Sequence, residues 1–373
     1  MAAAPTARED IMSNTHCDNS SAAINTSLNA ERIHDATDAI ADFLLELQRE
    51  LDDRYGPVAR SRGDAWKADT VAPDVMARAT AFLDARYADI SLWDVGLSDD
   101  DKATCRAYHR LRVQPYCLGS PFVRWSVDKP MGYPGDYRIV EMLFDAAADG
   151  ASPLAQVLSA YTLQVGPARA HRERAPWVHE TLTPLVAQAQ RPLEVLSFAC
   201  GPERVLRSFV QEGGICRISL VDWDTRALAL ATTKLREAAQ AASTTVSVRS
   251  AELSILRLLR DPAAVETMSR LSDRNEFDVV LVLGLLDYLP DRAAGRFLDL
   301  MVKVLADDGH MLLTNVHVEN PWRACMEYVG HWDVIHRSKE AFEQLCTGRG
   351  RLRCVEHRTD ASGTNLFFCG VHG

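Results

Sequence analysis

Apolar positions recur at helical spacing through the first half of the chain and fall into short continuous blocks in the second. Ile33, Ile40, Leu44, Leu47 and Leu51 share one helical face. Asn29 is placed to cap that helix and Gly56-Pro57 to end it. A second helix is predicted from Pro73 to Tyr87, with Val75, Met76, Ala79, Phe82 and Leu83 inward. A third starts at Ser98, whose three following aspartates suit a helix N-terminus, and stops before Pro115. Cys117 to Tyr137, rich in Gly and Pro, reads as one long irregular loop. Helical patterns resume at Arg138–Ala148, Pro153–Val165 and Arg169–Gln190.

From Pro192 the period changes. Glu194–Phe198, Ile218–Val221, Val246–Val248, Phe277–Leu283 and His310–Thr314 are short apolar runs separated by helical patterns. That alternation predicts βαβ units around a mostly parallel, doubly wound sheet with helices on both faces. Ligands of such sheets bind beyond the C-terminal strand ends. Ala199–Glu203, Asp222, Ser250–Glu252, Leu283–Asp287 and Asn315–Glu319 then share one rim. The expected organisation is a flexible tail over residues 1–28, a helical substrate or lid domain over 29–190, and a cofactor-binding domain over 191–373.

Composition narrows the class. The 373 residues carry a formal net charge of −10, which argues against nonspecific nucleic-acid wrapping. No apolar run is long enough to span a membrane, the N-terminus has no signal core, and a cytoplasmic protein is expected. Nine cysteines without a C-x-x-C pair argue against a disulfide framework or zinc knuckle, and no metal is expected.

The chemistry sits on the rim. A strand running through Ala199-Cys200-Gly201-Pro202 into a helix lets backbone N–H groups approach a ligand. Asp222 follows at the distance where a carboxylate accepts ribose hydroxyls, and Asp224 is the better cap for the next helix. Only Gly201 stands where a dinucleotide site needs several glycines, and Glu203 would oppose a pyrophosphate. A phosphate-free adenosine cofactor meets no such objection.

Val195–Pro202, Val221-Asp222-Trp223-Asp224, Phe277–Leu289 and Asp308–Leu313 together resemble the motifs of class I S-adenosylmethionine-dependent methyltransferases, in that family's order. The resemblance covers about Arg191 to Gly373 and implies a seven-stranded Rossmann-like sheet whose last strand, about Asn365–Val371, is antiparallel. It also implies Gly201 at the methionine portion of S-adenosyl-L-methionine and Asp222 at the ribose, with Ala199 and Trp223 as further cofactor-binding candidates. Ala251 and Glu252 would flank the adenine, and Leu283 and Gly284 the methionine amino group. Ala199 and Glu203 depart from glycines common in the first motif. Lys129–Tyr137 and the segment from Asn320 to Arg337 resemble a bacterial branch often described as making 3-hydroxy fatty acid methyl esters.

Acceptor candidates divide by element. Tyr133, Asp136 and Tyr137 lie on the Gly/Pro-rich loop, where Asp136 could equally cap the next helix. Asp287 and Tyr288 follow the fourth strand; His317 and Glu319 follow the fifth. Asp136, Asp287, His317 and Glu319 are the catalytic candidates. Tyr133, Tyr137, Tyr288, Tyr328 and Arg337 are the substrate-contact candidates. The carboxylates, with Glu327, favour an amine or guanidinium acceptor narrowly, held by charge and cation–π contact. Lys129, Arg138, Arg172, Arg174 and Arg337 would instead clamp a carboxylate for esterification, which needs no base. A cofactor-binding sensor or scaffold is the third reading. The partner expected is a small-molecule substrate rather than nucleic acid, and a homodimer is left open. Leu283-Gly-Leu-Leu286 stands where methyltransferases of base amino groups often carry an Asn/Asp-Pro-Pro-aromatic tetrad.

Overall fold

The computed structural model describes residues 16–56 and 72–373, with side chains described from residue 27. The first helices are α1 (His16–Tyr55), α2 (Pro73–Trp93), α3 (Asp99–Arg112), α4 (Gln114–Cys117) and α5 (Pro121–Asp128). Next come α6 (Tyr137–Asp145), α7 (Pro153–Gln164) and α8 (Gly166–Gln188). The alternating half follows: β1 (Leu193–Phe198), α9 (Arg204–Gln211), β2 (Cys216–Asp222), α10 (Thr225–Ala241), β3 (Ser247–Glu252), α11 (Ile255–Arg260), α12 (Pro262–Ser269) and β4 (Phe277–Leu283). It closes with α13 (Asp291–Val302), β5 (Leu305–Val316), α14 (Lys339–Thr347), β6 (Leu352–Thr359) and β7 (Asn365–His372).

Two expectations about the helical half are corrected. α1 starts at His16, so Asn29 lies inside the helix rather than at its cap, and residues 16–28 are helical rather than a tail. Alanines among residues 22–30 favour the helix, and Asn29 costs it little. Residues 1–15 and Pro57 lie outside the described residues. The stretch expected to be irregular contains α5. There Ser120 accepts the Val123 N–H and Pro121 occupies the first turn, so the punctuating residues start a helix instead of preventing one. Ser98 caps α3 as expected, accepting the Asp101 N–H at 3.1 Å.

The sheet runs β3-β2-β1-β4-β5-β7-β6. β7 pairs antiparallel with both β5 and β6, and all other neighbours are parallel. This is the seven-stranded Rossmann-like sheet with its antiparallel strand. β1 pairs with β2 on one side and β4 on the other, so the strand order reverses there. β1 is buried along its whole length, as a central strand covered on both faces should be. One apolar cluster fills the side with α13 and α14; another fills the side with α8, α9 and α10.

The helical half has its own core, and the chain after β5 returns to it. Ala324, Cys325, Tyr328, Val329 and Trp332 pack into that N-terminal core. Polar anchors hold the return. Trp322 Nε1 donates to Asp84 at 2.9 Å, Arg323 pairs with Asp94 at 2.8 Å, and the Tyr328 hydroxyl donates to the same carboxylate. Buried charges of this kind are retained only when paired and bonded, which these are. The returning segment pins the helical half over the sheet's C-terminal edge. Among the described residues no helix is long and apolar enough to cross a membrane.

Candidate active site

The rim is built where β1 and β4 diverge. After β1 the chain turns through residues 199–203, and Ala199 (φ 53°), Gly201 (φ 52°) and Glu203 (φ 49°) all take left-handed backbone. Asp222, at the end of β2, holds that turn. One of its carboxylate oxygens accepts the Gly201 N–H and the other the Asp224 N–H, both at 2.9 Å. Burial pushes its pKa up, and the backbone N–H donors pull it back. Asp224 caps α10 and is bonded to Arg226, as its position in the sequence implies. Glu203 is no obstacle to ligand approach: it is buried and caps α9 through the Leu206 N–H.

Trp223 is half exposed beside this turn, with Tyr133 across it at a ring separation of 4.9 Å. The Tyr133 hydroxyl reaches toward Asp224 at 3.5 Å. Ala251 and Glu252 pair with Val221 and Asp222 in parallel register, so they stand beside the same edge. Leu283 and Gly284 line the opposite wall.

Between the β1 turn and Leu283–Gly284 lies a cleft of about 100 Å³, part of it open to solvent; Asp222, Trp223, Tyr133, Ala251 and Glu252 are not among its lining residues. Ala199, Gly201, Leu283, Gly284, Tyr288, Trp332, His171 and Arg174 are among its lining residues. The Gly/Pro-rich loop closes one end. Gly135 (φ 72°) sits so close that a Cβ there would lie 2.7 Å from the Tyr288 hydroxyl, so glycine alone fits. That hydroxyl also accepts the Trp332 Nε1–H at 2.7 Å, joining the loop, the β4 end and the returning segment.

A second, apolar cavity lies in the helical half, lined by Phe122, Val123, Leu143, Val165, Val329 and Met326 among others. His171 and Trp332 line both spaces. The His171 Nδ1–H donates to the Pro167 carbonyl at 2.9 Å, so its other ring nitrogen is the bare acceptor. Burial and then Arg174 push its pKa down to about 3, so the ring is neutral.

Several predicted site residues do other work. Asp136 caps α6, accepting the Arg138 and Ile139 N–H groups and the Trp125 Nε1–H. It therefore positions the loop from below and does not line the cleft. Tyr137 opens α6 and lines no part of the cleft. Tyr328 is buried on Asp94 in the helical core. Arg337 is saturated by the carbonyls of Leu286 and Leu289, by Asn315 and by Asp291, so it braces the β4–α13 connection. His317 and Glu319 lie past the end of β5, where the Asn320 N–H bonds the His317 carbonyl and turns the chain away; Glu319 is exposed. Asp287 is buried behind Tyr288, accepting the Val316 N–H at 2.6 Å. Its pKa rises to about 6, chiefly by burial, with Arg174 opposing.

Sequence reasoning missed His171. Its position one turn after Gly166-Pro167 reads as ordinary helix, and only the packing of α8 onto the β4 edge reveals it. Arg174, one turn on, appears in the sequence merely as one of several cations.

No family model and no curated protein matches the chain. Among solved structures it is similar to the N-methyltransferase NodS from Bradyrhizobium japonicum in complex with S-adenosyl-L-homocysteine. That match has 20% identity over 54% of this chain and 87% of that one, with a TM-score of 0.36. It is also similar to magnesium protoporphyrin IX methyltransferase from Synechocystis with bound S-adenosylmethionine, at 11% identity over 71% and 97% of the two chains and a TM-score of 0.41. A Bordetella parapertussis protein described as a possible exported protein aligns over 96% of this chain and 99% of its own, at 13% identity and a TM-score of 0.45. At such identities and scores, function has to be argued from the site itself.

Proposed function

We propose that the protein is an S-adenosylmethionine-dependent methyltransferase acting on a small molecule with an apolar body. One observation carries this reading: the Asp222-braced left-handed turn opens onto a cleft at the sheet's switch point, and that cleft adjoins an apolar cavity. The residues present fit the cofactor. The left-handed turn brings main chain, not side chain, toward the ligand. Asp222 offers a carboxylate to ribose hydroxyls, Trp223 and Ala251 an edge for adenine, and Leu283 and Gly284 a wall for the methionine portion. The cofactor supplies an electrophilic methyl group. The protein's share is to hold the acceptor in line with it and to exclude water. Tyr288, Trp332 and the loop at Gly135 do the excluding. His171 presents a hydrogen-bond acceptor where the two spaces meet.

The amine reading has the lesser support. Asp136 is spent on a helix cap and Asp287 on the Val316 N–H. Glu327 is paired with Arg106 at 2.6 Å and Arg323 at 3.3 Å, and Glu319 faces solvent. Methylation of an acid with an aliphatic chain is supported better, because the apolar lining beside the cleft suits such a chain and a carboxylate needs no base. A radiolabelled methyl-transfer assay offering 3-hydroxy fatty acids beside amino acids and amines tests both. Base-labile label on the fatty acids is expected. Base-stable label on an amine would return the acceptor to nitrogen, and no label in any product would leave a binding protein.

A further inference from the structure

Of the cations that the sequence offers as anion clamps, the structure engages all but one. Lys129 Nζ donates to the His331 carbonyl at 2.7 Å. Arg138 is exposed over the Trp125 ring. Arg172 donates to the carbonyls of Leu143 and Leu163. Arg337 is saturated as described. Arg204, which also lines the cleft, is paired with Glu141 at 3.2 Å and Asp145 at 2.7 Å.

Arg174 differs. It is 6% exposed, yet among the described residues no carboxylate lies within 4.0 Å of it. Among those residues its guanidinium makes a single long hydrogen bond, 3.3 Å from one nitrogen to the Leu283 carbonyl, and its Nε has no partner. The same guanidinium would stand 2.8 Å from a Cβ at Gly284. It therefore reaches from α8 in the helical half to the end of β4, along the cleft wall. A desolvated guanidinium costs several kcal/mol unless it is paired and its donors are used. Asp287 offsets the charge from a distance, but its oxygen is bonded to the Val316 N–H. The flat five-donor fork suits a carboxylate held by two parallel bonds.

We propose that Arg174 is a carboxylate-binding residue of this cleft. Arg174 lines the space between the β1 turn and Leu283–Gly284, where an anionic group of a bound ligand takes up its terminal N–H donors. Two ligands of the proposed reaction carry that group: the α-carboxylate of the cofactor and the carboxylate of an acid acceptor. The identity of the ligands rests on the methyltransferase reading; the demand for a carboxylate rests on Arg174 alone.

The test is equilibrium titration of the wild type and of Arg174→Met with two matched pairs of probes. S-adenosylhomocysteine carries the α-carboxylate and 5′-methylthioadenosine lacks it. 3-Hydroxydecanoate carries a carboxylate and 3-hydroxydecanamide does not. Arg174→Met is expected to weaken one acid at least tenfold and to leave its neutral counterpart within twofold. Loss confined to S-adenosylhomocysteine assigns the clamp to the cofactor, and loss confined to 3-hydroxydecanoate assigns it to the acceptor. Equal affinities in wild type and variant, or losses shared by acid and neutral partner alike, overturn the proposal. Should Arg174→Met fail to fold, Arg174→Gln, which keeps a donor for the Leu283 carbonyl, is read by the same criteria. A wild type that binds neither adenosine probe removes the methyltransferase reading, and the clamp is then decided by the hydroxydecanoate pair alone.

Discussion

Left-handed backbone at Ala199 and Glu203 shows what the departures from glycine mean at residue scale. The turn keeps the conformation glycine would give and accepts a penalty of roughly 1–2 kcal/mol per residue for it. Glu203 recovers part of that by capping α9, and Ala199 packs its methyl group against the apolar core. A methyl group added at Gly201 would meet no atom within 4 Å, so the cost of Gly201→Ala in the free protein is conformational alone, about 1 kcal/mol. Ala199→Gly should move stability the other way by less, because the packing of the Ala199 methyl group against the core is lost. Denaturant melts check both, and a destabilised Ala199→Gly would contradict the strain. Asp136 illustrates the opposite outcome, a polar residue whose local role suffices. Asp136→Asn keeps a capping oxygen and is expected to turn over like the wild type, whereas Asp136→Ala should lose roughly 0.5–2 kcal/mol of stability. A hundredfold loss of turnover in a fully stable Asp136→Asn would bring Asp136 back into the chemistry.

At the scale of elements, the Asp287 carboxyl couples β4 to β5, and its burial makes that coupling depend on pH. Its folded pKa, about 6, lies above the ordinary 3.8. Below pH 3.8 it is protonated in both states, and above 6 it is charged in both. Between them the unfolded chain releases its proton first, so the folded state loses stability as pH rises. The full drop is about 3 kcal/mol, from roughly 1.36 kcal/mol per pKa unit. Asp287→Asn, which keeps an oxygen for the Val316 N–H, should gain on the wild type by that amount between about pH 4 and pH 6. A difference that stays constant across the window in urea melts would contradict it. Elements with a strong period or a clear cap were legible in the sequence: α2, α3, β1, β2 and β4 lie where their patterns predict. α5 was not, because the same Ser-Pro pair signals a loop or a helix start depending on what packs behind it. The return of residues 320–332 into the helical core was not legible either, since nothing local distinguishes a buried Tyr328 from one lining a pocket.

At the scale of the molecule, the doubly wound sheet and its rim follow from alternation and crossover handedness, so the residues on that rim were readable one by one. The wall of the cleft that carries His171 and Arg174 was not, because it is made by one helix of the first half meeting one strand end of the second. His171 and Arg174 acquire meaning only from that meeting. Ligand that binds only the folded protein should stabilise the whole, by about 2.7 kcal/mol at a hundred times its Kd. A thermal melt with S-adenosylhomocysteine should show that rise, and an unmoved melting temperature at saturating ligand would contradict cofactor binding by the fold. The most direct test of the central claim is calorimetric titration of S-adenosylhomocysteine into the wild type and Asp222→Asn. Saturable one-to-one binding is expected, weakened in the variant by ~1–3 kcal/mol, the cost of a lost charged hydrogen bond. Absence of binding by the wild type, or equal affinity in the two proteins, would contradict it.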